Sequence, residues 1–448
     1  MKISITTVRT FIFLFFFTLA STLVSHAATF TVDDLSDGTA NASHCEADSP
    51  PAGGDCSLRD AVAAANAAAD SDTINFSVTG TITLSEGEIA ISEDLAITGP
   101  GADMLTVDAD GNSRIFLVDD STVAKKVVSL TGLMFINGDS YNGGAILNYE
   151  ELSVDSCVFE GNSATFSGGA IYNDEDGTIT EITSSTFDGN SADRRYGGAI
   201  YNFYGIINIS FSTIANNSAS SSTGGGIFEN FGSINIRNSI VAFNGPDNCD
   251  KDIAKEAADE TNNYSDDDTC GFGTGDNSTI LLGDLADNGG PTETLALLGG
   301  DPVDGASADC DSINNPGVPV TNDQRYFPRP FGAACDAGAY EDGPMVSVTI
   351  TKITDPPGGT DFDFTTTGFE NTQESCGLKG INGQLVMDYL DSHSCVVPAG
   401  DYTVMEDIPD GQVLNIFCTD IPSGSVIDND TGELSFSVVD DQFDVNCL

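Results

Sequence analysis

From Thr73 onward the apolar positions of the chain fall two apart, in short runs. Ile74 and Phe76, Ile82 and Leu84, Ile89 and Ile91, and Leu95 and Ile97 alternate with polar positions, and Gly80, Gly87 and Gly99-Pro100-Gly101 punctuate them. A period of two between turn residues predicts short strands with one face buried. From about Val127 to Asn244 a longer period is superimposed. Gly143-Gly144-Ala145-Ile146 recurs as Gly168-Gly169-Ala170-Ile171, Gly197-Gly198-Ala199-Ile200 and Gly224-Gly225-Gly226-Ile227, at steps of 25, 29 and 27 residues. A second phrase, F-x-x-N, gives Phe159 to Asn162 and Phe187 to Asn190, with weaker copies ending at Asn217 and Asn244. These asparagines step by 28, 27 and 27, and Ser-Ala follows the first three.

Strand patterning with a repeat of this length predicts a stacked architecture, in which each unit buries its apolar side against its neighbours. Each coil turns corners between short parallel strands. Paired glycines supply the positive φ or the close approach that a corner needs. Equivalent Phe, Ile and Val side chains stack inside, and equivalent asparagines form a hydrogen-bonded ladder at a bend. The fold class is therefore all-β, and the Gly, Ile, Phe and Asn of the repeats carry structural roles.

The paired phrases resemble the repeats of polymorphic outer-membrane proteins and other right-handed parallel β-helix proteins of pectin-lyase-like shape, over roughly residues 72–245. Those outer-membrane proteins usually end in a membrane β-barrel, and no such pattern follows the repeats here. Upstream, Cys56-Ser57-Leu58-Arg59-Asp60-Ala61 resembles the C-S-L-R-E-A motif near the start of many exported bacterial β-helix proteins, with Asp60 in place of Glu. Ser57 and Asp60 make a capping box for a helix along the alanine run, with Leu58, Val62 and Ala65 near one face. Such a helix can cover the open end of a solenoid.

The domain organisation follows. Residues 1–27 read as a secretory signal peptide: Lys2 and Arg9, an apolar run from Phe11 to Leu19, then Ser25-His26-Ala27. Residues 28–71 are an N-terminal cap, with Phe30-Thr31-Val32 a short strand, and 72–245 are the β-helix repeats. Residues 246–343 resemble the closing segment of such exported proteins, which precedes varied surface-anchoring tails; Leu282 to Thr292, Asp323-Gln324-Arg325 and Cys335 to Glu341 carry that likeness. There Arg325 and Arg329 lie close in sequence to Asp323 and Asp336 and are expected to be ion-paired. Residues 345–448 alternate as an all-β module. Pro398-Ala399-Gly400-Asp401-Tyr402-Thr403-Val404-Met405-Glu406 resembles prealbumin-like or collagen-adhesin B-type sandwiches. That resemblance implies a candidate isopeptide between Lys352 and Asn446, promoted by Glu406; the alternative is three surface residues.

Charge and cysteine content narrow the function. Fifteen Lys and Arg face 69 Asp and Glu, a formal net charge of −54, and cleavage of the leader removes two of the basic residues. Such a surface repels nucleic acid and anionic lipid. It attracts cations, so calcium is the one possible cofactor, although no D-x-[DN]-x-[DN]-G loop is present and metal ligands stay unassigned. A saline habitat is the plainer explanation of scattered acids. Export permits disulfides. Sequence neighbours suggest Cys45–Cys56, Cys249–Cys270, Cys310–Cys335, Cys376–Cys395 and Cys418–Cys447, with connectivity open, and Cys157 is left as a buried thiol. Without a C-x-x-C pair, and with only His44 and His393 beyond the leader, a zinc site or a His-based triad is not expected.

No catalytic constellation stands out. Glycoside hydrolysis needs two carboxylates about 5–9.5 Å apart, and 69 acids make such pairs unspecific. The basic doublets are Lys125-Lys126 and Arg194-Arg195. There is no Trp, but Tyr141, Tyr172, Tyr196, Tyr201 and Tyr204 can stack on sugars. The expected role is that of a secreted or envelope-surface protein, structural, adhesive or glycan-binding. Extracellular glycans or surface proteins are its expected partners, and no membrane-spanning segment is expected after the leader is removed. The alternative is a polysaccharide lyase or glycoside hydrolase acting in the groove of the β-helix. The cross-link has its own test: an intact mass lower by one ammonia than the disulfide-corrected value supports it, and an unmodified mass removes it.

Overall fold

The structure, a computed structural model, describes residues 27–48, 55–68, 70–175, 177–221, 224–250, 262–307, 309–331 and 333–343, together with the strands between 345 and 447. Residues 1–26, which hold nearly all of the expected leader, lie outside the described residues, as do Lys352 and Cys376.

Alternating short strands coil into a parallel β-solenoid. One eight-stranded sheet contains Thr29–Val32, Asp72–Phe76, Leu95–Thr98, Val127–Thr131, Glu151–Asp155, Thr178–Thr183, Ile206–Ser210 and Ser233–Arg237. A seven-stranded sheet runs from Gly80–Thr83 through Leu105–Asp108, Met134–Ile136, Val158–Glu160, Thr186–Asp188 and Thr213–Ala215 to Ile240–Ala242. A six-stranded sheet holds Ile89–Ile91, Phe116–Val118, Ile146–Asn148, Ile171–Asn173, Ile200–Phe203 and Ile227–Asn230. A four-stranded sheet of Asp139–Asn142, Ser163–Ser167, Ser191–Ala192 and Ser218–Ala219 forms a fourth edge.

Registry puts like over like. Ile146 pairs with Ile171, Ile171 with Ile200 and Ile200 with Ile227. Phe135, Phe159 and Phe187 pair in turn and are buried; the ring centroids of Phe159 and Phe187 are 4.5 Å apart and nearly parallel, at 4°. Each buried aliphatic or aromatic side chain contributes about 1.5–3 kcal/mol of transfer free energy. Every coil supplies several, so burial, not strand propensity, holds the column together.

The two glycines of each Gly-Gly phrase do different work. Gly143, Gly168, Gly197 and Gly224 have φ of 60°, 68°, 65° and 65°, a region that costs other residues about 1–2 kcal/mol. Gly144, Gly169 and Gly198 sit against the next coil: a Cβ on Gly169 would collide with the carbonyl of Gly198 and the backbone of Ser191. The corner therefore needs one glycine for its turn and one for its thinness.

Asparagines form the ladder that the F-x-x-N phrase predicts. Asn162 donates to Asn190 at 3.0 Å, Asn190 to Asn217 at 2.8 Å and Asn217 to Asn244 at 2.9 Å, and Asn248 continues it at 2.9 Å. A second ladder, which the repeat reading did not single out, links Asn148, Asn173 and Asn202 at 2.8 Å per rung. A third column is made of hydroxyls. Ser185 accepts from the Cys157 backbone amide at 3.1 Å, Ser212 from that of Ser185 at 3.3 Å and Ser239 from that of Ser212 at 3.2 Å. Cys157 occupies the serine position of this column one coil earlier.

At the N-terminal end a helix, Leu58–Ala65, buries Leu58, Ala61, Val62 and Ala65 over the first coil. The capping box is realised only in half. Ser57 Oγ accepts from the Asp60 amide at 3.2 Å, but the Asp60 carboxylate turns away to the Asn41 amide at 2.6 Å and to His44 Nδ1 at 2.9 Å. Arg59 grips Asp37 through Nε and Nη2 and reaches the carbonyls of Gly87 and Glu88 at 2.6 and 2.9 Å, which ties the cap to the first coil. Burial pushes the Asp37 carboxyl up, but Arg59 and the amides of Glu86 and Ser85 outweigh it and hold it below the ordinary carboxylate range. Cys45 and Cys56 are joined by a disulfide.

The segment after the repeats does not merely close the far end. The antiparallel pair Ile280–Ala286 and Thr294–Gly300 runs back along the outside of the seven-stranded sheet. Outward side chains of that sheet meet it: Met134 and Val158 pack near Leu285, and Ile240 and Ala242 pack with Ile280 and Leu297. Thr186 donates to Gln324 Oε1 at 2.6 Å, and Thr213 accepts from the Ala339 amide at 3.0 Å. This strap reaches Gly101, whose α-carbon abuts Pro291. A parallel sheet covered on both faces reads as apolar at successive positions, and Val158-Phe159, Ile214-Ala215 and Ile240-Val241-Ala242 do so.

Inside the strap Arg325 is fully buried. It donates to Asp323 at 2.6 and 2.8 Å and to the Glu341 carbonyl at 2.6 Å, with its guanidinium 3.5 Å from the Tyr340 ring centroid. Arg329 pairs with Glu341 at 3.0 Å; its contact with Asp336 is to the backbone carbonyl, so the expected pairing with the Asp336 side chain is corrected. Its guanidinium lies 4.6 Å from the ring of Phe211, which belongs to the solenoid. Disulfides Cys249–Cys270 and Cys310–Cys335 add covalent ties. Between 345 and 447 the described strands form two further sheets. Asn446 lies in one and Glu406 in the other, and Cys418 is the register partner of Cys447.

Alanine at Gly169 or Gly198 is expected to lower stability by about 3 kcal/mol or more, because backbone must move. Alanine at Gly161 or Gly189, which share a positive φ but have open space around them, is expected to cost about 1–2 kcal/mol. Denaturant unfolding of the four variants checks the ordering; equal losses would contradict the corner geometry.

Candidate functional site

Strand alternation sends the middle residue of each Ile-x-Asn strand outward. Registry aligns Leu117, Leu147, Tyr172, Tyr201 and Phe228 in one outward column. Coils about 4.8 Å apart bring aromatic rings in such a column into stacking range. Tyr172 and Tyr201 lie 4.9 Å apart, and Tyr201 and Phe228 lie 5.5 Å apart at 11°. Tyr201 accepts from Asn230 Nδ2 at 3.0 Å.

Further rings flank the column. On one side Tyr196 stacks on Phe228 at 4.0 Å; at the adjoining corner Tyr141 stacks on Phe166 at 5.1 Å, and the Arg195 guanidinium caps Phe166 at 4.6 Å. On the other side Phe203 meets Tyr204 edge-on at 4.7 Å, and Tyr204 stacks on Phe231 at 5.1 Å. Tyr172 and Tyr201 are only 8% and 7% exposed, whereas Tyr141, Tyr204 and Phe231 are 59%, 49% and 73% exposed. The column is thus a floor of ring edges, and the open ring surface lies at its flanks. Burial, then the charge of Asp174, raises the Tyr172 phenol above its ordinary value, and Asp174 and Glu175 edge this end of the face.

The structure brings Tyr172, Tyr196 and Tyr201 together on this face, with Tyr141 at the adjoining corner and Tyr204 on the opposite flank. The other rings, Phe166, Phe203, Phe228 and Phe231, were missed. The signal for Phe228 was available: it occupies the x of the fourth Ile-x-Asn-like strand. Of the two basic doublets, Lys126 is consumed by Glu93, with Asp120 at 4.0 Å, and Lys125 donates to the Tyr149 carbonyl at 2.5 Å. Arg194 and Arg195 remain exposed beside the rings.

Two carboxylate groups bear on other chemistry. Asp119, Asp120 and Glu150 approach within 4.8 Å of one another. Glu150 already accepts from the Asp120 and Lys126 amides, at 3.2 and 2.9 Å, and Asp119 and Asp120 accept from Ser121 and Thr122. Calcium takes six to eight oxygens; with Lys126 beside it, this trio fits that ion poorly. Elsewhere, burial pushes Asp155 up to about 6; Ser156 opposes the shift and the charge of Glu181 adds to it. Asp155 lies at the rim of the eight-stranded sheet.

Where the strap meets the solenoid, Glu160, Asp188 and Glu293 are raised by burial, and then by Asp188, Asp284 and Glu160 respectively; Asn216 partly offsets the shift at Asp188. Cys157 is fully buried, and burial pushes its thiol up to about 12, so it is not a nucleophile.

A repeat family, the Chlamydia polymorphic membrane protein repeat, matches residues 156–174 and 184–202. Each stretch runs from the hydroxyl column through the Phe and Asn positions and the Gly-Gly corner to the end of an Ile-Tyr-Asn strand. Together they cover under a tenth of the chain, so the similarity is to the repeat unit. No match was found among curated proteins or among solved structures. Among the described residues no helix is long and apolar enough to cross a membrane.

Carboxylates with a folded pKa above the unfolded value of about 4 bind more protons in the folded state, so stability falls as pH rises from about 4 through about 6. Unfolding at constant ionic strength is therefore expected to occur at a higher temperature at pH 5 than at pH 8, with Asp188→Asn narrowing the gap. A higher unfolding temperature at pH 8 would contradict this. Native Cys157 is expected to resist thiol reagents, and Cys157→Ser, which restores the hydroxyl column, to shift stability by less than about 1.5 kcal/mol; rapid labelling of the folded chain would contradict its placement.

Proposed function

We propose that this chain is an exported, surface-associated protein that binds rather than cuts, and that its solenoid presents the aromatic face to an extracellular glycan. One observation carries the reading: nine rings line the six-stranded sheet and its two flanking corners, with Tyr141, Tyr204 and Phe231 open to solvent. Contiguous exposed apolar surface marks an interaction site. Rigid rings with polar edges suit the mixed apolar and hydroxylated surface of sugars. Similarity to repeats of polymorphic membrane proteins supports a place at the cell surface. The strap stiffens the rod along the seven-stranded sheet, and the strands after 345 supply a separate module for retention or contact.

Hydrolysis of a polysaccharide is the second reading, favoured by the raised carboxyl of Asp155 beside Glu181. A depolymerisation screen with and without calcium separates the two; release of reducing or unsaturated ends, lost in Asp155→Asn, would overturn the binding reading.

On a glycan array and on whole cells, the Tyr204→Ala/Phe231→Ala double variant is expected to bind at least about tenfold more weakly than the parent chain. Its unfolding temperature should be nearly unchanged, since both rings are exposed. Undiminished binding would contradict the assignment of the face.

A further inference from the structure

Five of the seven described arginines are committed to carboxylates. Arg59 holds Asp37 at 2.7 Å, Arg114 holds Glu88 at 2.5 Å, Arg237 holds Asp311 at 2.6 Å, Arg325 holds Asp323 at 2.6 Å and Arg329 holds Glu341 at 3.0 Å. With 69 acids in the chain, that outcome is what electrostatics favours. Among the described residues Arg194 and Arg195 are the exceptions: no carboxylate lies within 4.0 Å of either guanidinium. Both are exposed, in the loop from Asp193 to Tyr196 that follows Ser191–Ala192.

The loop is placed by the coil stacking. Tyr141, Phe166 and Arg195 come from three successive coils and form one column, ring on ring at 5.1 Å and guanidinium on ring at 4.6 Å. A guanidinium lying on an aromatic ring keeps its N–H edge free and pre-oriented for two parallel bonds to a carboxylate. Next to it Tyr196 is fixed against Phe228 at 4.0 Å. Asp193 lies in the same loop and Asp139 at the foot of the column, while Asp174 shares with Arg195 an electrostatic influence on Tyr201. Burial, then the charge of Asp193, raises the carboxyl of Asp139.

We infer that Arg194, Arg195, Tyr141 and Tyr196 form a subsite for a carboxylate-bearing sugar within a polysaccharide. The guanidinium of Arg195 takes the carboxylate in a forked pair, Arg194 adds a second cation, and Tyr141, beyond Phe166 in the same column, contacts an adjoining unit of the chain. The inference rests on the glycan-binding reading and narrows its ligand to an acidic sugar. The rest of the chain is acidic and repels carboxylates, so a short acidic oligomer is held at this point alone.

Titration calorimetry of the full-length chain tests it, with polygalacturonate oligomers as the probe and neutral dextran and dextran sulfate oligomers as the other arms. Polygalacturonate is expected to bind most tightly. Arg194→Gln/Arg195→Gln should weaken it about tenfold or more, equivalent to about 1.4 kcal/mol. Arg194→Gln alone, which removes no contact inside the fold, should lose part of that, and dextran should be unaffected by either change. Equal binding of polygalacturonate by the parent and the double variant would overturn the subsite, as would a preference for dextran or for dextran sulfate. If the parent ignores polygalacturonate but still binds neutral glycan or cells through Tyr204 and Phe231, the subsite is wrong and the surface-binding reading stands. If it binds no glycan and no cells, both fall.

Discussion

Parallel in-register stacking of equivalent residues is the constraint on which the rest of the molecule depends. Once strands of successive coils lie about 4.8 Å apart, every side chain has its counterpart one coil above and below. Apolar counterparts bury one another, as Phe135, Phe159 and Phe187 do. Amides satisfy one another, as the ladder from Asn162 to Asn244 shows, so polar groups can be buried at a bend without the cost of unpaired donors. The aromatic face is the same rule applied to the outside: rings recur at one register position, and stacking orders them without any dedicated scaffold.

The same rule leaves a difficulty that the strap resolves. A solenoid face built from Met134, Val158, Thr186, Thr213 and Ile240 is too apolar to stand in water. Residues 280–341 return along it and convert an exposed sheet into a buried one. Arg325 and Arg329 fix how that return is seated. Buried ion pairs add little net stability, but removing one partner leaves an uncompensated charge, so they select a single seating. The cap at the other end works similarly, with Arg59 and its four acceptors joining Cys56–Ala61 to the first coil.

Much of this was legible in the sequence. The strand periodicity, the two roles open to the glycines and the Phe and Asn columns follow from spacing alone. So do the capping helix and the candidacy of Tyr141, Tyr172, Tyr196, Tyr201 and Tyr204. What escaped depends on non-local contact. The strap's course along the rod is set by pairings such as Thr186 with Gln324, 138 residues apart. Asp60 gave up the second half of its capping box because Asn41 and His44 compete for the carboxylate. Arg329 reached Glu341 rather than the Asp336 side chain because the chain turns back between them. Phe231 and Phe203 lie outside the repeat phrases, so only the fold could place them beside Tyr204. The pairing state of Arg194 and Arg195 depends on which carboxylates come within reach, and sequence neighbours such as Asp193 mislead there.

Spin-label distances along one register column test the stacking most directly. Val127, Glu151, Thr178, Ile206 and Ser233 are successive register partners on the eight-stranded sheet. With one label at Val127 and the second at Ile206 or at Ser233, the separations should be about 14 and 19 Å, a step of one coil. Distances that do not lengthen from the third coil to the fourth would contradict the solenoid, and with it the aromatic face that depends on its register.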